Sequence, residues 1–291
     1  MKRSKFEKLI DEAPELPTLP VVAARVLGVV RDRSSTAGEL RYLLELDPVL
    51  STKIMRLANS AYFGLPDEVT DLHRAIVLLG FNAVRNLAFT ACLKSLYAHE
   101  YRCGTFPAGS LWLHSVSVAV ITRMLAERTW PDLAEEAFLA GIVHDVGIIM
   151  EWNLLPERFA MVIRSSEGTG RTFREAERQA LGFDHCACGA AMLRRWRLPK
   201  HLIRVARHHH RTRRADQNLT GNAQLGDRLA AVVHLAECVC AERGNGFFDQ
   251  PRDDELTETL LGYLDCGWSD YREIIETTDA ELDRARDLLS L

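Results

Sequence analysis

Apolar residues recur every three to four positions along almost the whole chain, and nowhere do they alternate with period two for long enough to argue a sheet. The pattern predicts an all-α protein built as a multi-helix bundle in two lobes. Helices are expected over 19–31, 37–46, 48–59, 70–78, 80–98, 108–127, 132–143, 156–165, 172–181, 184–195, 199–211, 225–242, 253–264 and 268–290. Pro20 and Pro48 suit first-turn positions, and Asp47 and Asp184 suit N-caps. Gly64, Gly80, Gly147 and Gly182 fall where helices are expected to end or turn.

Two stretches interrupt the periodicity. EYRCGTFPAGS at 100–110 separates an N-terminal group of helices from the segment that holds a His-Asp pair, and RTRRADQNLTGNAQLGD at 211–227 is polar and long for a connection inside a compact domain. These breaks divide the chain into a lead at 1–15, a helical lobe at 16–104, a second lobe at 105–245 and C-terminal helices at 246–291. In the tail, Ile274, Ile275, Leu282, Ala285, Leu288 and Leu289 share a stripe expected to pack on the chain's own core, although a homodimer contact is the alternative.

Composition adds limits. With 47% apolar and 26% charged residues among 291, the chain has the balance of an ordinary globular protein. A net charge of -4 supplies no overall field for nucleic acid or anionic lipid. The basic run ARHHHRTRR, with Arg194, Arg195 and Arg197, fits a solvated helix end better than a nucleic-acid surface. The charged N-terminus has no signal-peptide core, and no apolar run of membrane-spanning length stands out, so a cytoplasmic protein with no membrane partner is expected. The seven cysteines sit mostly in apolar contexts. The two C-x-C pairs, Cys186/Cys188 and Cys238/Cys240, lack the C-x-x-C spacing of zinc sites, so thiolate ligation is not expected.

The candidate chemistry lies in AGIVHDVGIIM, where His144 and Asp145 interrupt an apolar run. Burying two ionisable neighbours costs several kcal/mol unless they are paired or bound to a metal. His114, His185, His209, His210 and Glu237 complete a set of metal-ligating residue types drawn from four predicted helices, the way a helical bundle builds a metal site. Imidazole with carboxylate suits Fe, Mn, Zn or Ni rather than Ca or Mg. Neighbouring residues on a helix point about 100° apart, so His209 and His210 would not easily chelate one ion together and could serve two. A metal-free histidine network closed by Asp145 is the alternative.

The order His114, His144-Asp145 and a later acidic residue resembles the HD superfamily of metal-dependent phosphohydrolases. His185 and the paired His209-His210 resemble the additional ligands of its HD-GYP subgroup, the cyclic-di-nucleotide phosphodiesterases. The N-terminal half, with DPVLSTKIMRLANSAYFG and AIVLLGFNAVRNLAF, closely resembles the HDOD domain, an HD-related output domain of bacterial signalling proteins, over residues 16 to about 210.

The resemblance implies an HD-like C-terminal half and a signal-transduction output module that binds a signalling protein partner without catalysis. The alternative it leaves is a phosphohydrolase or cyclic-nucleotide phosphodiesterase using the retained site. Three departures speak against cyclic di-GMP hydrolysis. No Gly-Tyr-Pro follows the paired histidines, Ser110 stands where the subgroup has Glu, and Glu237 stands where Asp is usual, with His234 competing for that role. No receiver, cyclase or helix-turn-helix segment is identified, so the input is expected from elsewhere.

Overall fold

The computed structural model describes residues 6, 21–32, 34–97, 108–166, 171–210, 224–246 and 253–291. Pro20 and most of the two predicted breaks, 100–110 and 211–227, lie outside these. Among the described residues every regular element is helical, in agreement with the all-α expectation.

Local chemistry sets the first elements: α1 (Val21–Arg31), α2 (Ala37–Glu45), α3 (Pro48–Ala58), α4 (Leu72–Leu79) and α5 (Phe81–Leu93). Thr36 and Glu39 form a reciprocal capping box at the start of α2. Asp47 caps α3 with its carboxylate on the Leu50 amide, ahead of Pro48 in the first turn. The Asn59 side chain then accepts from the Val69 amide at 2.7 Å and donates to the Val69 carbonyl at 2.9 Å, which closes the intervening turn. Gly80, at φ +89°, makes the sharp bend from α4 into α5 in a region that L side chains rarely adopt. Helix α5 is buried along almost its whole length, with α1 and α3 packed on it.

The centre of the molecule is α6 (Ala108–Thr129), followed by α7 (Ala134–Val143). Helix α6 is the one straight helix, among the described residues, with the length and composition of a membrane span, a feature the sequence pattern alone did not bring out. Its apolar character has another cause: α7, α13 (Leu225–Glu242), α15 (Trp268–Arg284) and α16 (Arg286–Leu289) all pack against it. A helix surrounded by other helices is apolar on all sides. Gly141 on α7 lies directly on the α6 backbone at Ala119, where a Cβ would come within 2.4 Å of the Ala119 Cα. This close crossing sets α7 against α6.

A helix that the periodicity did not predict comes immediately after α7: α8 (Val146–Leu154). Its residues through Asn153 are all buried, so it has no polar face to betray a helical period. Gly147, expected to end a helix, instead lies in the first turn of α8 against the start of α11 (His185–Arg195). A Cβ there would come within 2.0 Å of the His185 carbonyl oxygen. Before α11 run α9 (Pro156–Ser166) and α10 (Phe173–Ala180); after it come α12 (Lys200–His208), α13 and α14 (Asp254–Leu264).

Polar contacts join α5 to α7. Buried Asn86 donates to the Glu135 carbonyl at 2.8 Å and to its carboxylate at 3.0 Å, and Arg85 meets Glu136 at 3.3 Å. Glu136 also accepts from His201 of α12 at 3.0 Å. In the tail, Ile274, Leu282, Ala285 and Leu288 are buried with Ile275 and Leu289 partly so, and α15 and α16 pack on α6, as expected for a stripe turned to its own core.

Candidate metal centre

The His-Asp dipeptide occupies the break between α7 and α8, where neither residue is committed to a regular helix interior. His114 comes from α6, His185 from the first position of α11, His209 and His210 from the turn that ends α12, and Glu237 from α13. Five separate stretches of chain therefore deliver all seven sequence-predicted residues. All are buried except His210, which is partly exposed. His234 is not among them: its Nδ1 donates to the His209 carbonyl at 3.1 Å, behind the centre.

The imidazoles are oriented from behind. His144 Nδ1 lies 2.6 Å from the Gly141 carbonyl, His114 Nδ1 3.1 Å from the Asn245 carbonyl, and His209 Nδ1 3.1 Å from the Val205 carbonyl. His185 Nδ1 lies 2.8 Å from the Glu177 carboxylate. Carbonyl and carboxylate oxygens only accept, so each Nδ1 carries the proton and donates. Each Nε2 is left to face inward.

Asp145 sits among these inward nitrogens. Its Oδ2 lies 3.2 Å from His144 Nε2 and 3.8 Å from His114 Nε2, and its Oδ1 lies 3.3 Å from His209 Nε2 and 3.5 Å from His185 Nε2. Glu237 Oε1 is 3.7 Å from His144 Nε2. Two donors bound to one ion at about 2.1 Å with a tetrahedral angle stand about 3.4 Å apart, so these separations suit atoms that share one ion. His144 Nε2, Asp145 Oδ1 and His209 Nε2 are buried without a well-formed hydrogen bond, a cost that a metal would remove. The donor set thus fits a divalent ion.

Three overlapping groups of donors have all their atoms within 4.8 Å of one another: His114, His144, Asp145 and Glu237; Asp145, His209, His210 and Glu237; and His185, Cys186, His209 and His210. The groups share members, so the donors form one connected set. His209 and His210 lie together in two of these groups, their rings 4.1 Å apart, so the angular separation of neighbours does not send them to different ions. Helix α12 ends at His208, and the turn beyond it brings both rings to one side. Cys186, not expected near a metal, belongs to the third group.

Electrostatics tunes the set. Burial opposes the charged form of His144, but Asp145 and Glu237 override it and raise its pKa to about 9. Burial lowers His114 to about 4, with His144 adding to the effect, and burial likewise takes His209 to about 4. Burial works against the Asp145 carboxylate too, yet the neighbouring histidines hold it well below the usual carboxylate range. His185 is raised well above the imidazole range against burial, chiefly by Glu177. His114 and His209 are therefore neutral near pH 7, the form that ligates a metal.

Beyond the Asp184 cap, the sequence pattern did not reveal the supporting residues. Glu177 holds His185 through both its Nδ1 and its amide nitrogen. Fully buried Glu151 faces Glu177; burial first, then the Glu177 charge, pushes its pKa well above the usual range, which favours the neutral acid. Asp184 caps α11 and pairs with Arg174 at 3.0 Å and Arg178 at 2.6 Å. Glu151 left a trace in the sequence, a lone carboxylate in IIMEWNLL, of the same kind that singled out His144-Asp145. Glu177 left none, because α10 is a polar surface helix in pattern.

The helical fold has counterparts among known proteins. The HDOD domain family model matches residues 16–212, and the chain belongs to the HDOD family. An HDOD domain protein of unknown function from Geobacter sulfurreducens superposes with a TM-score of 0.78 at 25% identity, over 97% of this chain and 95% of that one. A protein provisionally named a phosphohydrolase, from Shewanella amazonensis SB2B, gives 0.74 at 24% identity over 97% of both chains. An uncharacterised protein of Treponema pallidum is 24% identical over 69% of this chain, and the match takes in 39% of that relative's length.

Proposed function

We infer that this chain is a signal-transduction output module whose buried centre holds divalent metal, and that it acts by binding a signalling protein partner. The observation that carries the metal half is the set of inward Nε2 atoms around Asp145 at ion-spanning distances, with three buried donor atoms that lack a well-formed hydrogen bond. His114, His144, Asp145, Glu237, His185, His209 and His210 would hold the metal, Fe, Mn, Zn or Ni by donor chemistry. Support for the partner half is the distribution of exposed apolar side chains. Among the described residues, five of the eight large ones, Tyr42, Leu46, Val49, Val77 and Leu78, fall on or beside α2, α3 and α4. The burial of nearly every donor agrees with a metal that holds structure rather than one open to substrate.

One observation favours the second reading, a metal-dependent phosphohydrolase. Asp145 and Glu237 each belong to two neighbouring donor groups, the position of carboxylates that bridge two ions. A pair of ions supplies an activated water and neutralises charge on a phosphoryl group. In that case Asp145 would fix the spacing, and the Nδ1 contacts of His114, His144, His185 and His209 would keep each ring aimed inward.

Elemental analysis of the purified chain, followed by phosphodiester hydrolysis with added manganese or iron, separates the readings. Bound metal with no turnover is the expected result. Absence of metal under all loading conditions removes the centre. Turnover that disappears in His144→Ala and Asp145→Ala replaces the output module with the hydrolase.

A further inference from the structure

The third donor group contains a residue of different chemistry from the rest. Cys186 is buried, and its sulfur lies within 4.8 Å of ligand nitrogens of His185, His209 and His210. It occupies the second position of α11, directly after His185, in the first turn, at the positive end of the helix dipole. Arg174, held at 3.0 Å from the Asp184 cap, interacts electrostatically with Cys186. His209 Nε2, which points into the centre, is buried and has no well-formed hydrogen bond. His185 Nε2 and His210 Nε2 approach to 3.0 Å, close enough for one ion to take a bond from each.

We propose that Cys186 ligates metal, so that His185, His209, His210 and the Cys186 thiolate form a four-donor site selective for a zinc-class ion. The inference rests on the reading that the centre binds metal and specifies its second position. Three imidazoles and one thiolate make a four-coordinate set that needs no donor from solvent, the mark of a closed zinc site. The sulfur also makes this end of the centre softer than the other, where His114 and His144 meet the carboxylates of Asp145 and Glu237. Thiolate donors draw zinc or cobalt, whereas carboxylate donors suit manganese or iron, so the two ends select different ions. On ligation the Cys186 thiol forms its bond to the metal through sulfur and releases its proton to buffer.

The test is X-ray absorption at the zinc edge on the full chain loaded with zinc. A sulfur shell at about 2.3 Å beside a nitrogen and oxygen shell at about 2.0 to 2.1 Å is the expected spectrum. The sulfur shell disappears in Cys186→Ser and remains in Cys188→Ser, whose cysteine is buried on the same helix but lies outside the group. Cobalt titration reads the same bond without zinc, as a sulfur-to-cobalt charge-transfer band lost in Cys186→Ser while the ligand-field bands persist. Zinc bound through nitrogen and oxygen alone in the unaltered chain overturns the thiolate and leaves the metal centre standing, and a sulfur shell that survives Cys186→Ser does the same. Failure of both zinc and cobalt to bind the unaltered chain overturns the metal reading itself. The unaltered spectrum needs no variant to fold.

Discussion

At the scale of single residues, Asp145 is the organising group: one carboxylate lies within 3.8 Å of four imidazole nitrogens contributed by α6, the α7–α8 break, α11 and the end of α12. Four imidazoles crowded together repel as they charge, and the shared carboxylate makes their approach tolerable. Glu177→Gln keeps the shape behind His185 but removes the charge that fixes its tautomer. Metal affinity should fall about 10- to 100-fold, read by competition with a chromophoric chelator. The metal-free protein carries a pH signature as well. His144, raised to about 9 from 6.5, contributes stability that is fully present below about 6.5 and is lost as pH rises through about 9. Urea midpoints of metal-free protein across that window should decline more steeply than those of His144→Gln.

At the scale of elements, two glycines set the site. Gly141 seats α7 on the α6 backbone and Gly147 seats α8 on the α11 backbone, so His144 and Asp145, between them, are placed by main-chain contact. Gly147→Ala would put a methyl group 2.0 Å from the His185 carbonyl oxygen. Backbone cannot yield as a flexible side chain does, and a loss of at least about 3 kcal/mol is expected, beyond the usual cost of overpacking. Chemical denaturation measures it, and metal content should fall alongside. What the sequence disclosed obeys the same physics. Amphipathic α2, α3 and α12 are visible as stripes with caps or a leading proline, whereas α8, buried on every side, presents no stripe. The donors on α6, α11 and α13 were legible as polar interruptions of apolar runs. Glu177 was not, since a carboxylate on a mostly polar helix looks like any solvated one, and Cys186 was not, since its environment comes from residues twenty or more positions away in His209 and His210.

At the scale of the whole molecule, one continuous apolar cluster runs from α1 to α16, and the polar centre is enclosed within it. An ion bound there links helices distant in sequence and should raise overall stability by mass action, by about 2.7 kcal/mol at a free metal concentration one hundred times the dissociation constant. Thermal unfolding with and without chelator reads this as a lowered midpoint once metal is stripped. The contacts of Arg85 and Asn86 with Glu135 and Glu136 lie at the start of α7, and His144 comes directly after its last residue. Ten residues of helix span about 15 Å. The N-terminal helices thus hold one end of a short, stiff rod whose other end carries the proposed coordinating pocket: were a partner to dock on those helices and lend free energy to ion retention, the ion would return it to the docking in equal measure.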